Sequence, residues 1–172
     1  EAEELWPIII NDFLANTLQP TYFNSTPTDL EKVPIPNWEY ISKKDYLYHN
    51  VIVTSRGCPF KCEFCYNSCD YVSNIYRNRP IDHVIAEIKN MNTKQVMFID
   101  DNLIGNFQWI NDFLDTIAPL GLTWHGAVST NIVNHPELIK KMADTGCRSL
   151  FIGFESINAD SLRSANKRQN KT

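Results

Sequence analysis

Short apolar runs alternate with amphipathic segments along the later part of the chain, and this alternation predicts strands and helices in turn. The apolar runs predict strands at residues 50–54, 95–99, 123–129 and 149–154. Helices are predicted between them, at residues 78–91, 106 to about 119, and 135–146. Asn106, Asn134 and Asn158 are the predicted helix N-caps, and Gly146 is predicted to end the third of these helices.

Apolar strands that alternate with helices predict an α/β fold, in which a parallel sheet is covered by helices. In such sheets, and in β/α barrels, ligands gather at the carboxyl ends of the strands. Polar residues cluster at each predicted strand end, at residues 54–56, 100–102, 129–131 and 155–156. We therefore expect a functional site at this edge of the sheet.

The pattern before residue 49 is different. Residues 3–18 predict an amphipathic helix, whose apolar face includes Trp6, Ile10 and Phe13 and whose first turn contains Pro7. Four prolines interrupt the stretch that follows, so no regular element is predicted there. The predicted organisation is a helix at residues 1–19, a linker at residues 20–48 and an α/β core at residues 49–172.

The composition narrows the class of protein. The chain has 172 residues, is 43% hydrophobic and carries a formal net charge of −4, which argues against a general nucleic-acid-binding role. The last ten residues, RSANKRQNKT, are interpreted as a solvated end. No apolar run reaches the roughly 18 residues of a membrane-spanning helix, and the first residues lack the features of a signal peptide. Five cysteines, an odd number, make a poor disulfide framework, so we expect a cytoplasmic protein whose thiols bind a metal.

Three of the five cysteines lie close together in the stretch RGCPFKCEFCYN, at Cys58, Cys62 and Cys65. Structural zinc needs four ligands, for which Cys69 or one of the histidines is available, but this spacing is not that of a zinc finger. Cys62 and Cys65 match a redox C-x-x-C pair, which leaves Cys58 unexplained. A [4Fe–4S] cluster fits best, because three thiolates can hold three irons and leave the fourth iron open to another ligand.

The motif Cys58-x-x-x-Cys62-x-Phe64-Cys65, directly after a predicted strand, resembles that of the radical S-adenosylmethionine (radical SAM) superfamily. The resemblance covers about residues 49–172 and implies a partial TIM-type (β/α) barrel, truncated to about four β/α units. It implies that the three cysteines hold a [4Fe–4S] cluster and that SAM binds the open iron. In that family, one electron from the cluster cleaves SAM to methionine and a 5′-deoxyadenosyl radical, which abstracts hydrogen from a substrate. A small electron donor such as flavodoxin or ferredoxin is the implied partner.

The resemblance also suggests which residues contact SAM. Family members commonly carry Gly-Gly-Glu after the second strand, where it contacts the methionine amino group. Here the stretch is FIDDN, similar to an Asp-Asp variant of cobalamin-associated members, so Asp101 is the first candidate and Asp100 the second. Glu155, with Ser156 beside it, is the candidate for the ribose hydroxyls. Ser129 is a candidate for the methionine carboxylate or the ribose.

Each of these residues also has a purely structural interpretation. One of the two aspartates can cap the turn that follows, Ser129 and Asn131 can form a strand-ending turn, and Ser156 can begin a helix. Phe64 is expected to pack beneath the loop, and the resemblance places its backbone against the adenine. Cys147 is predicted to belong to the core.

The first residues, EAEELWPIII, resemble the end of a cobalamin-binding Rossmann-type domain. The resemblance implies that residues 1–19 are the last helix of an upstream domain, in a cobalamin-associated Fe–S oxidoreductase or methyltransferase. An amphipathic helix that packs on the core is the alternative. Two other functional classes stay open: a non-catalytic electron-transfer or metal module with Cys69 as fourth ligand, and an interaction scaffold with incidental cysteines. A sheet of four strands leaves an edge unpaired, which we expect to favour self-association.

Overall fold

The structure is a computed structural model that describes residues 1–42, 44–69 and 75–170. The chain divides into two compact units, Glu1–Pro34 and Ile35–Thr172. Within the described residues, no helix is both long and apolar enough to cross a membrane. The domain boundaries predicted at residues 19 and 48 stay predictions, and the boundary between the compact units lies inside the predicted linker.

The first unit contains one helix, α1 (Trp6–Leu14), followed by irregular chain. The helix is shorter than the predicted span of residues 3–18, and Pro7 lies in its first turn as expected. Asn16 has a φ of 56°, a left-handed conformation of the kind that ends helices. The structure describes every residue of α1, and none of them is buried, so the predicted apolar face is exposed.

The second unit begins with irregular chain and a short 3₁₀ turn at Trp38–Tyr40, which agrees with the absence of a predicted element there. Regular elements then follow. They are β1 (Val51–Ile52), β2 (Ser55–Arg56), β3 (Arg77–Asn78), α2 (Ile81–Asn90), β4 (Gln95–Phe98), α3 (Phe107–Ile117), β5 (Thr123–Val128), α4 (Pro136–Asp144), β6 (Cys147–Ile152) and α5 (Ala159–Ser164). From α2 onward helices and strands alternate as predicted, whereas the short strands β2 and β3 were not predicted.

Four strands form one parallel sheet in the order β1-β4-β5-β6. Each strand is connected to the next by a helix, so the carboxyl ends of all four strands lie at one edge. This arrangement confirms the predicted α/β class and the partial barrel. Among the described residues the sheet does not close, and β6 pairs only with β5.

The two faces of the sheet differ sharply. One face is covered by the helices, and its core includes Phe98 and Trp124, whose rings pack edge to face at 5.5 Å. The other face, called the open face below, is less covered. It contains Met97, Ile99, His125, Ala127, Ser149 and Phe151, all half-buried or exposed. The side chains of β5 alternate between half-buried and buried along its length, as a strand with one covered face requires.

Two predicted helix starts are wrong. Asn78, the predicted beginning of a helix, lies in β3, which pairs with β2 in a separate antiparallel ribbon, and α2 begins after Pro80. Asn134 does not cap α4, because His135 is at the N-cap position and Pro136 occupies the first turn. Proline lacks an N–H group and disfavours helical geometry in the residue before it, so it sets the start of each helix. Asn106 and Asn158 cap α3 and α5 as predicted.

Candidate functional site

The three clustered cysteines lie in a loop that follows β2, here called the cysteine loop (residues 57–69). Cys62 is buried, and Cys58 and Cys65 are half-buried. The N–H group of Cys65 donates a hydrogen bond to the carbonyl of Cys62 at 3.0 Å, which closes a turn between these two residues. Cys69 is exposed at the end of the loop. All four are free thiols, so they are chemically available as ligands.

The cysteines and one carboxylate influence each other electrostatically. The pKa of Cys58 is raised, mainly because burial disfavours the thiolate, and further by the negative charges of Cys65, Asp101 and Cys62. Within residues 1–42, 44–69 and 75–170, however, no three His, Cys, Asp or Glu side chains form a group that could hold a metal ion. The three thiols therefore fit a [4Fe–4S] cluster in type and spacing, but they do not form a ready-made cage.

The two aspartates after β4 lie in opposite environments. Asp100 is buried, and its Oδ1 accepts hydrogen bonds from the Thr54 N–H at 3.0 Å, the Thr54 hydroxyl at 2.8 Å and the Ser55 hydroxyl at 2.5 Å. Burial raises the pKa of Asp100 to about 6, although these hydrogen bonds act in the opposite direction. Asp100 thus holds the base of the cysteine loop against β4, and Asp101 is exposed.

Asp101 has a partner in the cysteine loop that sequence reasoning missed. The Tyr66 hydroxyl donates a hydrogen bond to Asp101 Oδ1 at 2.6 Å. Burial, the hydrogen bond to Asp101 and the charge of Asp101 raise the pKa of Tyr66 to about 12. Tyr66 directly follows Cys65, so its position next to the motif was the available signal. The contact joins the cysteine loop to the end of β4.

The ends of β4 and β5 are cross-linked by an amide. Asn102 is buried, and its Oδ1 accepts hydrogen bonds from the Ser129 N–H at 3.2 Å and the Ser129 hydroxyl at 3.3 Å. The Ser129 hydroxyl also lies 2.5 Å from Asn131 Oδ1. Ser129 and Asn131 therefore form a strand-ending turn, one of the two interpretations left open by the sequence.

Glu155, after β6, pairs with a lysine that the sequence did not single out. Lys167 Nζ lies 3.0 Å from Glu155 Oε1, and only 8% of the Lys167 side chain is exposed. Glu155 has a φ of 59°, a left-handed conformation that is uncommon for residues other than glycine. The Ser156 hydroxyl accepts a hydrogen bond from the Asn158 N–H at 3.0 Å, so it belongs to the turn before α5.

Phe64 does not pack beneath the cysteine loop, and that prediction is wrong. Its side chain is 57% exposed, and Lys167 Nζ lies 5.6 Å from the centroid of its ring. The loop is tight and the positions that face the protein are taken by Cys62 and Asn67, which are buried. The aromatic ring is therefore left on the accessible side, where it can contact a ligand.

Residues 165–170 do not form the solvated end that their composition suggested, and residues 171–172 of that predicted end lie outside the described residues. Residues 165–170 pack on the cysteine loop, and Lys167 is buried there. The Glu63 N–H donates to the carbonyl of Ala165 at 3.1 Å, and Asn166 Nδ2 donates to the carbonyl of Lys61 at 2.6 Å. The basic side chains of this stretch misled the interpretation, because composition alone does not show which of them is paired.

An open cavity of about 1090 Å³ lies beside this segment. Its lining includes Thr130, Phe154, Ser156, Lys167 and Asn170, but neither Asp101 nor the three clustered cysteines. The cavity therefore borders the ends of β5 and β6 rather than the cysteine loop itself.

Cys147, His125 and His135 make contacts elsewhere in the structure. Cys147 begins β6 and packs against the core as predicted, and burial raises its pKa to about 11. His125 lies on the open face, with Nδ1 2.6 Å from the Ser149 hydroxyl oxygen. The ring of His135 packs against that of Phe107 at a centroid distance of 4.2 Å, with the two planes tilted by 39°.

Comparison with curated proteins finds methyltransferases. The bacteriochlorophyllide d C-12(1)-methyltransferase of Chlorobaculum tepidum is 29% identical over an alignment of 181 positions. The alignment covers 99% of this chain and 40% of that protein. The bacteriochlorophyllide d C-8(2)-methyltransferase of the same organism is 28% identical, with 97% of this chain and 41% of that protein covered. The hopanoid C-2 methylase of Rhodopseudomonas palustris is 26% identical, and the alignment covers 98% of this chain and 33% of that protein. This chain thus spans about two fifths or less of the length of these relatives.

No solved structure gives a significant match to the chain. The sequence model of the Radical SAM superfamily matches residues 52–172, which is more than half of the chain. The matched region contains the cysteine loop and the carboxyl ends of β4, β5 and β6, where the candidate residues lie. The chain therefore belongs to the Radical SAM superfamily.

Proposed function

We propose that this chain is the cluster- and SAM-binding part of a radical SAM methyltransferase. The observation that carries the proposal is the approach of the cysteine loop to the end of β4. Asp101 contributes to the raised pKa of Cys58 and accepts a hydrogen bond from Tyr66, the residue after Cys65. Three thiols and an accessible carboxylate thus lie in one region, as a cluster with an amino-acid ligand requires.

Cys58, Cys62 and Cys65 would hold a [4Fe–4S] cluster. Thiolates are the ligands that such clusters take, and three of them leave one iron open. Because the thiols do not form a ready-made cage, cluster binding would draw them together and stabilise the loop. When bound, the cluster would supply the electron that cleaves SAM.

Asp101 would bind the amino group of the SAM methionine. Its carboxylate is exposed, and a charge-assisted hydrogen bond to an ammonium group is stronger than one between neutral groups. Asp100 is a weaker candidate, because it is buried and already accepts from Thr54 and Ser55. Glu155 would accept hydrogen bonds from the ribose hydroxyls, with Lys167 holding its carboxylate in place.

The other candidate contacts have weaker support. The hydroxyls of Ser129 and Ser156 already form hydrogen bonds within the chain. Phe64 presents an exposed ring on the cysteine loop, which suits contact with the adenine.

For the overall reaction we propose methyl transfer. The three relatives described above are named methyltransferases or methylases. The similarity to the first of them covers 99% of this chain, so it includes residues before the cysteine loop. This coverage supports the proposal that those residues belong to a protein of the same kind. That cobalamin carries the methyl group is a further part of the proposal, and it rests on the resemblance of residues 1–19 to the end of a cobalamin-binding domain.

The test is anaerobic reconstitution of the chain with iron and sulfide, followed by reduction and EPR spectroscopy with and without SAM. We expect a [4Fe–4S]⁺ signal that changes when SAM is added, because SAM occupies the open iron. Cys58→Ala should lose the cluster, and Cys147→Ala is the matched control because Cys147 lies in β6 and packs against the core.

Two results would overturn the proposal. Full iron content in Cys58→Ala would show that Cys58 is not a ligand of the cluster. A cluster signal that ignores SAM in the original chain, together with cluster loss in Cys69→Ala, would indicate a fully ligated electron-transfer site instead.

A further inference from the structure

Residues 165–170 hold the cysteine loop on both sides of its middle cysteine. The Asn166 side chain binds the carbonyl of Lys61, and the carbonyl of Ala165 accepts from the N–H of Glu63. Between these two contacts lies Cys62, which is 6% exposed. Residues 165–170 thus form hydrogen bonds with the backbone on both sides of Cys62, the one buried thiol of the motif.

The side chain of Gln169 reaches the Cys62 sulfur. Gln169 Nε2 lies 3.4 Å from Cys62 Sγ, within the range of an N–H···S hydrogen bond, whereas Gln169 Oε1 lies 3.9 Å away. A thiolate has no proton to donate, so only the amide N–H group can serve it.

Gln169 and its neighbour Asn170 form hydrogen bonds with residues that follow two strands, β5 and β6. The Gln169 carbonyl accepts a hydrogen bond from the Thr130 hydroxyl at 2.9 Å, at the end of β5. The next residue, Asn170, donates from Nδ2 to the carbonyl of Phe154 at 2.7 Å, beyond β6, and its Oδ1 lies 2.7 Å from the Thr130 hydroxyl oxygen, so it shares that single proton with the Gln169 carbonyl. These bonds fix the backbone on which the Gln169 amide is carried.

We propose that Gln169 is a positioning residue that donates an N–H···S hydrogen bond to Cys62 and thereby raises the reduction potential of the cluster. The part that concerns the cluster rests on the function proposed above, and the contact with the thiol does not. Hydrogen bonds to cluster sulfurs withdraw electron density and favour the reduced, more negative state. Such a bond would make it easier for a weak reductant to supply the electron.

The decisive measurement is the midpoint potential of the reconstituted cluster, from an EPR-monitored redox titration. Gln169→Leu keeps the bulk of the side chain and removes the donor, so we expect a more negative potential. Gln169→Glu replaces the donor with a negative charge, so we expect a still more negative potential. Gln108→Leu is the matched control, because Gln108 is exposed on α3 and its side-chain amide donates to the carboxylate of Asp112.

A purely structural role predicts a different result. It would change the iron content or the melting temperature of the variants and leave the potential of the remaining cluster unchanged. A potential for Gln169→Leu equal to that of the original chain would therefore overturn the proposal.

The second measurement needs no cluster. Alkylation of the cluster-free chain with iodoacetamide, resolved by mass spectrometry of each cysteine-containing peptide, reports the reactivity of Cys62. In Gln169→Leu, which keeps the bulk of the side chain and removes the donor that stabilises the thiolate, we expect Cys62 to react several-fold more slowly, with the rate at Cys147 unchanged as an internal reference. Unchanged Cys62 reactivity would show that Gln169 does not contact the thiol, and would also overturn the proposal.

The two measurements separate this inference from the proposed function. If the original chain forms a cluster that ignores SAM, the function proposed above fails, while an effect of Gln169 on the potential still stands. If no cluster forms at all, the alkylation rates alone decide whether Gln169 contacts Cys62.

Discussion

Asp100 and Asp101 show how adjacent residues of one type take different roles. Asp100 turns inward and accepts three hydrogen bonds from Thr54 and Ser55, just before the cysteine loop, whereas Asp101 turns outward to Tyr66. Alternation along the end of β4 explains the difference, since successive side chains of an extended chain point to opposite faces. The buried side chain joins β4 to Thr54 and Ser55, and the exposed one is available to a ligand.

The buried carboxylate should make stability depend on pH. The folded pKa of Asp100 is about 6, above its ordinary value of 3.8, so the folded state holds the proton more tightly. Its contribution is fully present below about pH 4 and is lost as the pH rises through 6, by roughly 3 kcal/mol. Asp100→Asn should remove this loss. Urea unfolding between pH 3.5 and 7.5 measures the free energies, and parallel profiles for the two proteins would contradict the assignment.

Asp101→Asn should weaken SAM binding without affecting the cluster. The substitution keeps the size of the side chain and removes the charge that would pair with the ammonium group, so we expect affinity to fall by about tenfold. Isothermal titration of the reconstituted chain with SAM measures the affinity, and iron analysis measures the cluster. Asp112→Asn is the control, because Asp112 is exposed on α3 and its carboxylate accepts a hydrogen bond from the Gln108 side chain. Equal affinities in both variants would exclude Asp101 as a contact.

At the scale of elements, glycine ends two helical segments by adopting left-handed backbone angles. Gly146 has a φ of 97°, and a Cβ atom there would lie 1.9 Å from the carbonyl oxygen of Leu122. Gly121 has a φ of 60°, and a Cβ atom there would meet nothing within 4 Å. The two positions thus share a type of conformation and differ in the space around it.

Gly146→Ala should therefore destabilise the chain much more than Gly121→Ala. Gly121→Ala carries only the cost of the left-handed conformation, about 1 kcal/mol. Gly146→Ala adds a backbone clash, so we expect the free energy of unfolding to fall by at least about 3 kcal/mol. Urea unfolding monitored by circular dichroism compares the two variants. Similar losses would mean that the junction of α4 and β6 relaxes to admit a side chain.

The elements that could be predicted are those specified by local pattern. The cores of α2, α3 and β4 follow from apolar periodicity, and Asn106 and Asn158 cap helices because their side chains reach the backbone nearby. The ribbon of β2 and β3 was missed, because residues 55–56 and 77–78 pair across a long separation that no local pattern records.

The candidate site likewise contains residues that the local sequence identifies and residues that only contacts distant in sequence identify. Cys58, Cys62 and Cys65 stand out because their spacing is local, and Asp101 stands out because it follows a strand. Lys167 and Gln169 were missed because their significance comes from contacts with Glu155 and with the cysteine loop, which lie far away in sequence. Phe64 was placed wrongly because the spacing of a motif does not say which way a ring points.

In the second unit as a whole, the open face of the sheet exposes apolar side chains, and the edge strand β6 exposes backbone hydrogen-bonding groups. Phe151 is 78% exposed and Ile99 is 48% exposed on this face. Among the described residues, β6 offers an unpaired row of backbone groups along its free side. Exposed apolar side chains next to an unpaired strand edge favour pairing with another chain. We therefore propose that this 172-residue chain self-associates through β6.

Phe151→Lys should reduce that self-association. A lysine on an edge strand opposes pairing, because association would bring like charges together and desolvate them, and the substitution also removes an apolar side chain from the open face. Sedimentation velocity at several concentrations should show a concentration-dependent species larger than a monomer for the original chain, shifted toward the monomer in the variant. Ile139→Lys is the matched control, since Ile139 is 39% exposed but lies on a helix, α4, and not on the β6 strand. A monomer at every concentration for the original chain would contradict the proposal. An equal shift in both variants would show that added charge, rather than the β6 edge, governs association.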